Sequence, residues 1–129
     1  MNKIKIILAD DHAIVRQGIR GLLDQEGDML VVGEASDGLK LIDLAEKLRP
    51  DVVVVDLKMP GIGGMEALRR VRESGTSAEV VVLTGHPDVT TAIEAMKLGA
   101  YDYLTKPFKL AEVELVIRRA AERRRITQE

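Results

Sequence analysis

The sequence predicts an α/β domain built around a parallel β-sheet, because two kinds of apolar pattern alternate along it. Four short runs are almost continuously apolar and rich in β-branched residues, which is typical of strands covered on both faces. Between these runs, apolar residues recur at steps of three and four, which predicts amphipathic helices. Strict alternation of strands and helices favours a parallel sheet with right-handed crossover connections.

The predicted elements follow one another in five strand–helix pairs. The strands are assigned to residues 4–9, 29–32, 51–55, 79–83 and 101–105. The helices that follow them carry apolar stripes beginning at Ile14, Leu39, Met65, Val89 and Leu110. Asp37 is expected to cap the second helix. The proline after Arg49 is expected to end that helix, because the residue before proline disfavours the α region. Gly99 is expected to end the fourth helix.

Length and composition limit the kind of protein this can be. The 129 residues fit one domain, which we place at residues 1–125, followed by a short tail at 126–129. The net charge of −2 creates no overall field for nucleic acid, and the longest apolar runs are too short to cross a bilayer. The absence of cysteine excludes disulfides and cysteine metal sites. We therefore expect a cytoplasmic domain that binds neither membranes nor nucleic acid directly.

Polar side chains stand at the ends of four predicted strands. Asp10 and Asp11 follow the first strand, and Asp56 ends the third. Thr84 ends the fourth strand, and Lys106 follows the fifth. In open α/β sheets, ligands bind in the crevice beyond the carboxyl ends of the strands, so these side chains are expected to meet there. A doubly wound strand order of 2-1-3-4-5 is the natural candidate, although periodicity alone does not define strand order.

Three carboxylates in one crevice require a cation. Two unit charges about 4 Å apart repel by roughly 4 kcal/mol at an effective dielectric constant near 20. Oxygen ligands favour a hard ion, and Mg²⁺ suits two or three carboxylates plus water better than Zn²⁺ does. The cation can draw in a phosphate, so that one carboxylate attacks phosphorus and forms an acyl phosphate. Lys106 and Thr84 would then bind phosphoryl oxygens.

Several of these residues also have simpler interpretations. An Asp-Asp pair after a strand is commonly a solvated turn, but its combination with Thr84 and Lys106 favours a site. His12 is interpreted as a residue of the first helical turn rather than as a ligand. The arginine cluster at residues 118–125 is interpreted as solvated charge at a helix C-terminus. The alternative for that cluster is a junction to an output domain or a dimer face.

Four stretches resemble, in order, the defining motifs of bacterial two-component response-regulator receiver domains. They are ADDH at residues 9–12, VDLKMPG at 55–61, LTG at 83–85 and YLTKPF at 103–108. The resemblance extends from residue 4 to about residue 122, nearly the whole chain. It implies a flavodoxin-like (βα)5 fold with a doubly wound parallel sheet in the order 2-1-3-4-5. It also implies a phosphoacceptor domain that catalyses only its own phosphorylation and slow autodephosphorylation.

The resemblance assigns roles to the residues of the acidic crevice. Asp56 would accept the phosphoryl group from the phosphohistidine of a cognate histidine kinase. Mg²⁺ would be held directly by Asp11, Asp56 and the backbone carbonyl of Lys58, and Asp10 would act mainly through water. Lys58 and His86 would flank the water molecule that hydrolyses the acyl phosphate.

The resemblance also implies a conformational switch and a set of partners. Thr84 would move toward the phosphoryl group, and Tyr103 would turn inward to fill the vacated space. Lys106 and Pro107 would be joined by a cis peptide bond. The face formed by the fourth helix, the fifth strand and the last helix would form a homodimer or control an output domain. That output domain is expected on a separate partner or outside this chain.

Two features depart from a uniform resemblance. Gly63 stands where many relatives place a polar helix cap, and we expect it to act as a weaker N-cap of the third helix. Residues 4–38 resemble receivers that carry a small helix-turn-helix output domain, whereas residues 84–108 resemble receivers of sigma-54-dependent activators. The sequence therefore does not predict which kind of output domain such a receiver would control.

Two other functions are weighed against the phosphorylation switch. A Mg²⁺-dependent phosphatase with an aspartyl nucleophile would need a second acid two residues after the nucleophile, and Lys58 occupies that position. A non-phosphorylated interaction module or flavodoxin-like cofactor binder would need a loop rich in glycine, serine and threonine after the first strand. The sequence has Asp-Asp-His there instead.

Overall fold

The computed structural model describes residues 3–85 and 89–128, and within them five strands alternate with five helices. The strands are β1 (Ile4–Ala9), β2 (Met29–Ala35), β3 (Val52–Asp56), β4 (Glu79–Thr84) and β5 (Asp102–Thr105). The helices are α1 (Ala13–Asp24), α2 (Gly38–Leu48), α3 (Gly63–Glu73), α4 (Val89–Lys97) and α5 (Leu110–Gln128). Helix α5 continues past residue 125, and the domain boundary at that residue stays a prediction.

The five strands form one parallel sheet in the order β2-β1-β3-β4-β5. This confirms the predicted fold class and strand order. Because all strands run in the same direction, their carboxyl ends lie at one edge of the sheet, which is where α/β domains of this kind bind ligands. Within the described part of the chain, no helix is both long and apolar enough to cross a membrane.

The sheet is covered by helices on both faces. Helices α2, α3 and α4 pack on one face through side chains such as Leu41, Leu68 and Ala95. Helices α1 and α5 pack on the other face through side chains such as Ile19 and Ile117. Successive residues of the central strands β1, β3 and β4 therefore enter different apolar layers, which explains why these strands read as continuous apolar runs.

Strand β2 is longer than the sequence indicated. It continues through Gly33 to Ala35, because its pairing with β1 shifts register between Ile6 and Ile7 and so accommodates one additional residue. A Cβ at Gly33 would lie 3.1 Å from a methyl group of Leu48, so glycine permits close packing against α2. Strand β3 begins one residue later than predicted and ends at Asp56, which places this carboxylate at the carboxyl edge of the sheet.

The predicted caps of α2 and α4 are confirmed. The Asp37 carboxylate accepts a hydrogen bond of 2.9 Å from the backbone N–H of Lys40. Arg49 ends α2 with a φ angle of 45°, in the left-handed region. Gly99 has a φ angle of 103°, and its N–H donates to the Met96 carbonyl while the next N–H donates to the Ala95 carbonyl. This is the Schellman arrangement of a helix C-terminus.

The beginning of α3 differs from the expectation. Gly63 was expected to be the N-cap, but the cap position is Ile62, which makes no side-chain cap hydrogen bond. Gly63 instead has a φ angle of 80°, a conformation that side-chain-bearing residues rarely adopt. The following residue, Gly64, lies against the end of β3, where a Cβ would be 2.3 Å from the Asp56 carbonyl oxygen and 2.5 Å from Leu57 Cα.

Part of the arginine cluster is solvated, as the sequence predicted. Its members Arg119, Arg123 and Arg125 are exposed, but Arg118 and Arg124 are half-buried, which corrects the interpretation for these two. Arg118 pairs with Glu26 at 2.7 Å and with Asp28 at 2.6 Å. The next two pairs reach the opposite edge of the sheet from Asp56: Arg123 lies 3.2 Å from Glu79 and Arg124 lies 2.6 Å from Asp51. These contacts fasten α5 to elements distant in the sequence.

A second group of ion pairs joins α1 to β2. Arg16 Nε lies 3.0 Å from a carboxylate oxygen of Glu34, and Arg20 binds the other oxygen of the same group. Burial acts to raise the pKa of Glu34, but the hydrogen bonds and charges of the two arginines outweigh it, so the pKa lies below its ordinary value of 4.5. Glu34 is therefore ionised at neutral pH, and its ion pairs with the two arginines join α1 to β2.

We expect Gly64→Ala to destabilise the domain by about 3 kcal/mol or more, because the added methyl group meets backbone atoms that cannot move aside easily. Gly21→Ala is the matched control: Gly21 lies in α1 with nothing within 4 Å of its ideal Cβ. Alanine there should stabilise the protein by roughly 0.5–1 kcal/mol through helix propensity. Urea unfolding measures both changes, and an equal effect of the two substitutions would contradict the close approach at Gly64.

We expect Glu34→Gln to lower the free energy of unfolding by about 1 kcal/mol at neutral pH and by much less in acid. A carboxyl group whose folded pKa is lowered stabilises the fold above its unfolded pKa, and this contribution is lost as pH falls through the folded pKa. The measurement is the urea midpoint between neutral pH and about pH 3. Glu46→Gln on the exposed surface of α2 is the control. If the urea midpoint of Glu34→Gln stayed equally far below that of the wild type at acidic pH, the stabilising charge of Glu34 would be refuted.

Candidate functional site

Four strand ends bring a carboxylate-rich pocket together at the carboxyl edge of the sheet. Asp10 follows β1, Asp56 is the last residue of β3, and both are only 2% exposed. Thr84 ends β4 and is 6% exposed. Lys106 follows β5, and its Nζ lies 2.7 Å from Asp56 Oδ2 and 3.1 Å from Asp10 Oδ2. The predicted convergence of these strand ends is therefore observed.

The Asp56 carboxylate is held by its own loop and by Lys106. The backbone N–H of Lys58 donates to Oδ1 at 3.0 Å, while Lys106 occupies Oδ2. The loop after β3 is itself fixed on two sides. The N–H of Leu57 donates to the Leu83 carbonyl at 3.0 Å, and the N–H of Gly64 donates to the Leu57 carbonyl at 2.9 Å. Asp56 thus stands on a rigid backbone with both of its oxygens oriented.

The Asp10 carboxylate is equally constrained. Its Oδ1 accepts a hydrogen bond of 2.8 Å from the backbone N–H of His12, and its Oδ2 accepts from Lys106. Its backbone N–H donates to the Ala35 carbonyl at 3.0 Å, and its carbonyl accepts from the guanidinium of Arg16. The same Arg16 side chain binds Glu34 on β2. Arg16 therefore holds the loop between β1 and α1 in place.

Lys106 remains an ammonium in this pocket. Burial acts to lower its pKa, but the hydrogen bonds that Lys106 donates to Asp56 and Asp10, together with their negative charges, outweigh burial, so the pKa lies above its ordinary value of 10.5. The backbone N–H of Lys106 donates to the Thr84 carbonyl at 2.7 Å. The peptide bond from Lys106 to Pro107 is cis, as the resemblance implied.

The pocket has the donor groups and the charge that a divalent cation needs. Ligand atoms of Asp10, Asp11, His12 and Asp56 all lie within 4.8 Å of one another. Three carboxylates and the one ammonium of Lys106 leave a formal charge of −2. Carboxylate oxygens are the ligands that hard divalent ions prefer, so this donor set fits Mg²⁺.

Tyr103 lies outside the acidic pocket, on the surface beside α4. It is 39% exposed and, with Ala92, Ile93, Met96 and Lys97, it lines a groove of about 400 Å³. Thr84 pairs with Thr105 across the sheet, and Tyr103 stands two residues before Thr105 on the same strand. Because side chains two residues apart point to the same face, Thr84 and Tyr103 share the face of the sheet that carries α4.

One site residue lies one position before the helical turn in which it was expected, and another lies outside the described residues. His12 was expected in the first turn of a helix, but it is the N-cap residue of α1 and makes no side-chain cap hydrogen bond. Its ring nitrogen Nδ1 lies 3.1 Å from carboxylate oxygens of both Asp10 and Asp11. The position of His12 directly after two aspartates was the sequence feature that could have predicted this contact with their carboxylates. His86 lies outside the described residues.

Arg16 and Glu34 were not anticipated as supports of the site. They are separated by 18 positions in the sequence and come from different elements, so no local pattern connects them. Their role becomes visible only when β2 is paired beside β1 and α1 packs against β2.

Comparison with known proteins agrees with this geometry. The family described as the response regulator receiver domain matches residues 6–118. The chain is 45% identical to the response regulator GacA of Pseudomonas aeruginosa over 116 residues, which is 89% of this chain and 54% of that protein. It is 42% identical over 125 residues to the C4-dicarboxylate transport transcriptional regulatory protein DctD of the same organism, covering 97% of this chain and 27% of that protein.

Solved structures show the same likeness in three dimensions. The receiver domain of AraT, a response regulator from Geobacillus stearothermophilus, is 37% identical, with a TM-score of 0.86 and coverage of 97% of this chain and 98% of that chain. The signal receiver domain of the response regulator NarL from Mycobacterium tuberculosis is 29% identical, with a TM-score of 0.90 and coverage of 95% and 98%.

These matches cover nearly the whole of this chain but only part of each curated relative. The chain spans about half or less of the length of the curated relatives it matches. The matched region is nevertheless the same module in each case, and it includes the strand ends that form the acidic pocket. The chain belongs to the receiver domains of two-component response regulators, a family of signalling domains rather than of enzymes.

Proposed function

We propose that Asp56 accepts a phosphoryl group from the phosphohistidine of a cognate histidine kinase, in a reaction that depends on Mg²⁺. The observation that carries this proposal is the position of Asp56 Oδ2, 2.7 Å from the Lys106 ammonium in a pocket that also holds Asp10 and Asp11. Asp56 is the carboxylate at the end of a strand whose five residues are all buried, so it is rigidly directed into the pocket.

The chemistry follows from these positions. An oxygen of the Asp56 carboxylate attacks phosphorus, the phosphorus–nitrogen bond of the donor breaks, and an acyl phosphate forms while the donor imidazole leaves. The Lys106 ammonium then binds an oxygen of the transferred group, and the Thr84 hydroxyl binds another. When bound, Mg²⁺ supplies positive charge that offsets the charge on the phosphoryl oxygens. Lys106 thus changes partner from Asp56 to the new phosphoryl group.

Some residues of the pocket would bind the cation directly, and one would bind it through a water molecule. Both oxygens of Asp10 are already engaged, one by Lys106 and one by the His12 N–H, which supports an indirect contact through water. The Asp11 side chain is 35% exposed, which supports a direct role, together with Asp56 and the backbone carbonyl of Lys58. This division matches the reluctance of Mg²⁺ to lose all of its water ligands.

Turnover of external substrates is not part of the proposal. A phosphatase with an aspartyl nucleophile needs a general acid near the leaving group. The residue two positions after Asp56 is Lys58, an exposed cation, so the chain would catalyse only its own phosphorylation and slow autodephosphorylation. Lys58 and His86 would flank the water molecule for that second step. Steady release of phosphate from small phosphoesters would favour the phosphatase instead.

Phosphorylation would act through Thr84 and Tyr103. These residues share the face of the sheet beneath α4, and Tyr103 borders a groove with apolar walls. Movement of Thr84 toward the phosphoryl group would leave space that the Tyr103 ring fills, which changes the surface of α4, β5 and α5. This surface would bind an output domain or a second copy of the chain in the cytoplasm, as a population shift between two states.

We expect one phosphoryl group to be added when the chain is incubated with acetyl phosphate and Mg²⁺, and none in the Asp56→Asn variant. The amide cannot act as the attacking carboxylate, so the intact mass should show no adduct. Asp43→Asn, a change of an exposed carboxylate on α2, is the control and should be labelled like the wild type. Chelation of Mg²⁺ should abolish labelling of every variant. Labelling of Asp56→Asn at the wild-type level would defeat the assignment.

We expect beryllofluoride, a phosphate mimic, to protect Tyr103 from solvent. The chain has no tryptophan and two tyrosines, so Tyr101→Phe leaves Tyr103 as the one tyrosine emitter. Acrylamide quenching of its emission should decrease on activation, because the ring is 39% exposed beforehand and turns inward. Thr84→Ala should remove the response. Quenching that stays unchanged while beryllofluoride binds would rule out the inward turn of Tyr103.

A further inference from the structure

The His12 imidazole is directed at the acidic pocket although solvent is available to it. The side chain is 60% exposed, yet Nδ1 lies 3.1 Å from Asp10 Oδ1, 3.1 Å from Asp11 Oδ1 and 4.0 Å from Asp56 Oδ2. A neutral imidazole has at most one N–H at Nδ1 and can satisfy one of these oxygens well. The ring therefore faces more negative charge than a single hydrogen bond explains.

The distances match those between neighbouring ligands of one cation. Ligands at about 2.1 Å from an ion with octahedral geometry stand about 3.0 Å apart when they are adjacent. The separations of Nδ1 from the Asp10 and Asp11 oxygens are both 3.1 Å. Nδ1 is thus placed as a nitrogen donor beside the Asp11 oxygen, which the proposed function makes a direct ligand, without rearrangement of the loop.

We propose that His12 is a ligand, through Nδ1, of the divalent cation in this pocket and that it raises the preference of the site for ions that accept nitrogen. This rests on the metal site of the proposed function. Carboxylates suit Mg²⁺ and Mn²⁺, whereas imidazole suits ions such as Ni²⁺ and Zn²⁺. A site of carboxylates alone would favour hard ions, and the imidazole changes that balance. His12 is then a specificity-determining residue for the cation.

The direct test is pulsed electron paramagnetic resonance of the tag-free chain loaded with Mn²⁺. The expected spectrum contains coupling to a directly bound ¹⁴N nucleus, and this coupling is lost in His12→Ser. Serine is a good N-cap residue, so the start of α1 is preserved when the imidazole is removed. Because the chain has two histidines, His86→Ser is the matched control and should retain the coupling. Absence of ¹⁴N coupling in the wild-type chain overturns the proposal, as does its loss in His86→Ser alone.

Calorimetric titration with Ni²⁺ and Mg²⁺ measures the change in preference. His12→Ser should weaken Ni²⁺ binding by at least about 10-fold, the scale on which groups around a metal affect affinity. The ratio of Ni²⁺ to Mg²⁺ affinity should fall by a similar factor, and His12→Asn should show the same fall if the serine variant is unstable. An unchanged ratio overturns the proposal. In that case Mg²⁺ binding and labelling of Asp56 in the wild-type chain persist, whereas failure of the proposed function would remove the labelling itself.

Discussion

The attraction between one ammonium and two buried carboxylates organises the functional edge of this domain. Lys106 bonds to both Asp56 and Asp10, which come from different strands, and so brings three strand ends to one point. Burial alone would favour loss of its proton, but the paired carboxylates raise the pKa of Lys106. One ammonium does not balance three acids. The remaining negative charge suits a divalent cation, and in the proposed function an incoming phosphoryl group takes over the bond that Lys106 makes to Asp56.

This arrangement depends on backbone contacts as much as on charge. Helix α3 begins against the backbone of Asp56 and Leu57, at a distance that only a residue without Cβ permits. The loop that carries Asp10 is held by Arg16, which also binds Glu34 on the neighbouring strand. The acids are therefore positioned before any ligand arrives, and binding does not have to order them. Such preorganisation is what an electrostatic site needs in order to act on a transferring phosphoryl group.

At the edge of the sheet opposite the acidic pocket, charged side chains form ion pairs that hold α5 in place. Arg123 and Arg124 of α5 bind Glu79 and Asp51 near the starts of β4 and β3. They hold the last helix on the edge of the sheet opposite the acidic pocket. Glu79 is 8% exposed, so its carboxylate is paired within the fold, while the side chain of its partner Arg123 stays 61% exposed. The arginine cluster therefore contributes to the packing of α5.

Local patterns in the amino-acid sequence predicted the fold class and most of the acidic pocket. Apolar runs and helical spacing are local patterns, and strand ends in a parallel sheet must share one edge, so Asp10, Asp56 and Lys106 could be brought together without coordinates. The helix caps Asp37 and Gly99 could also be predicted, because a cap depends only on residues within one helical turn. Motifs that resemble a known family supplied the strand order and the individual roles.

The pairing of charges from distant segments depends on how the elements pack, which no local pattern predicts. Arg118 and Arg124 were interpreted as solvated because Asp28 and Asp51, with which they pair, lie more than forty residues away. Arg16 and Glu34 likewise meet only across the β1–β2 pair. The direction of the His12 ring and the close approach of Gly64 to Asp56 also depend on how loops and helices pack on the sheet. Periodicity records which face of an element is buried, but it carries no information about which side chain on another element it will meet.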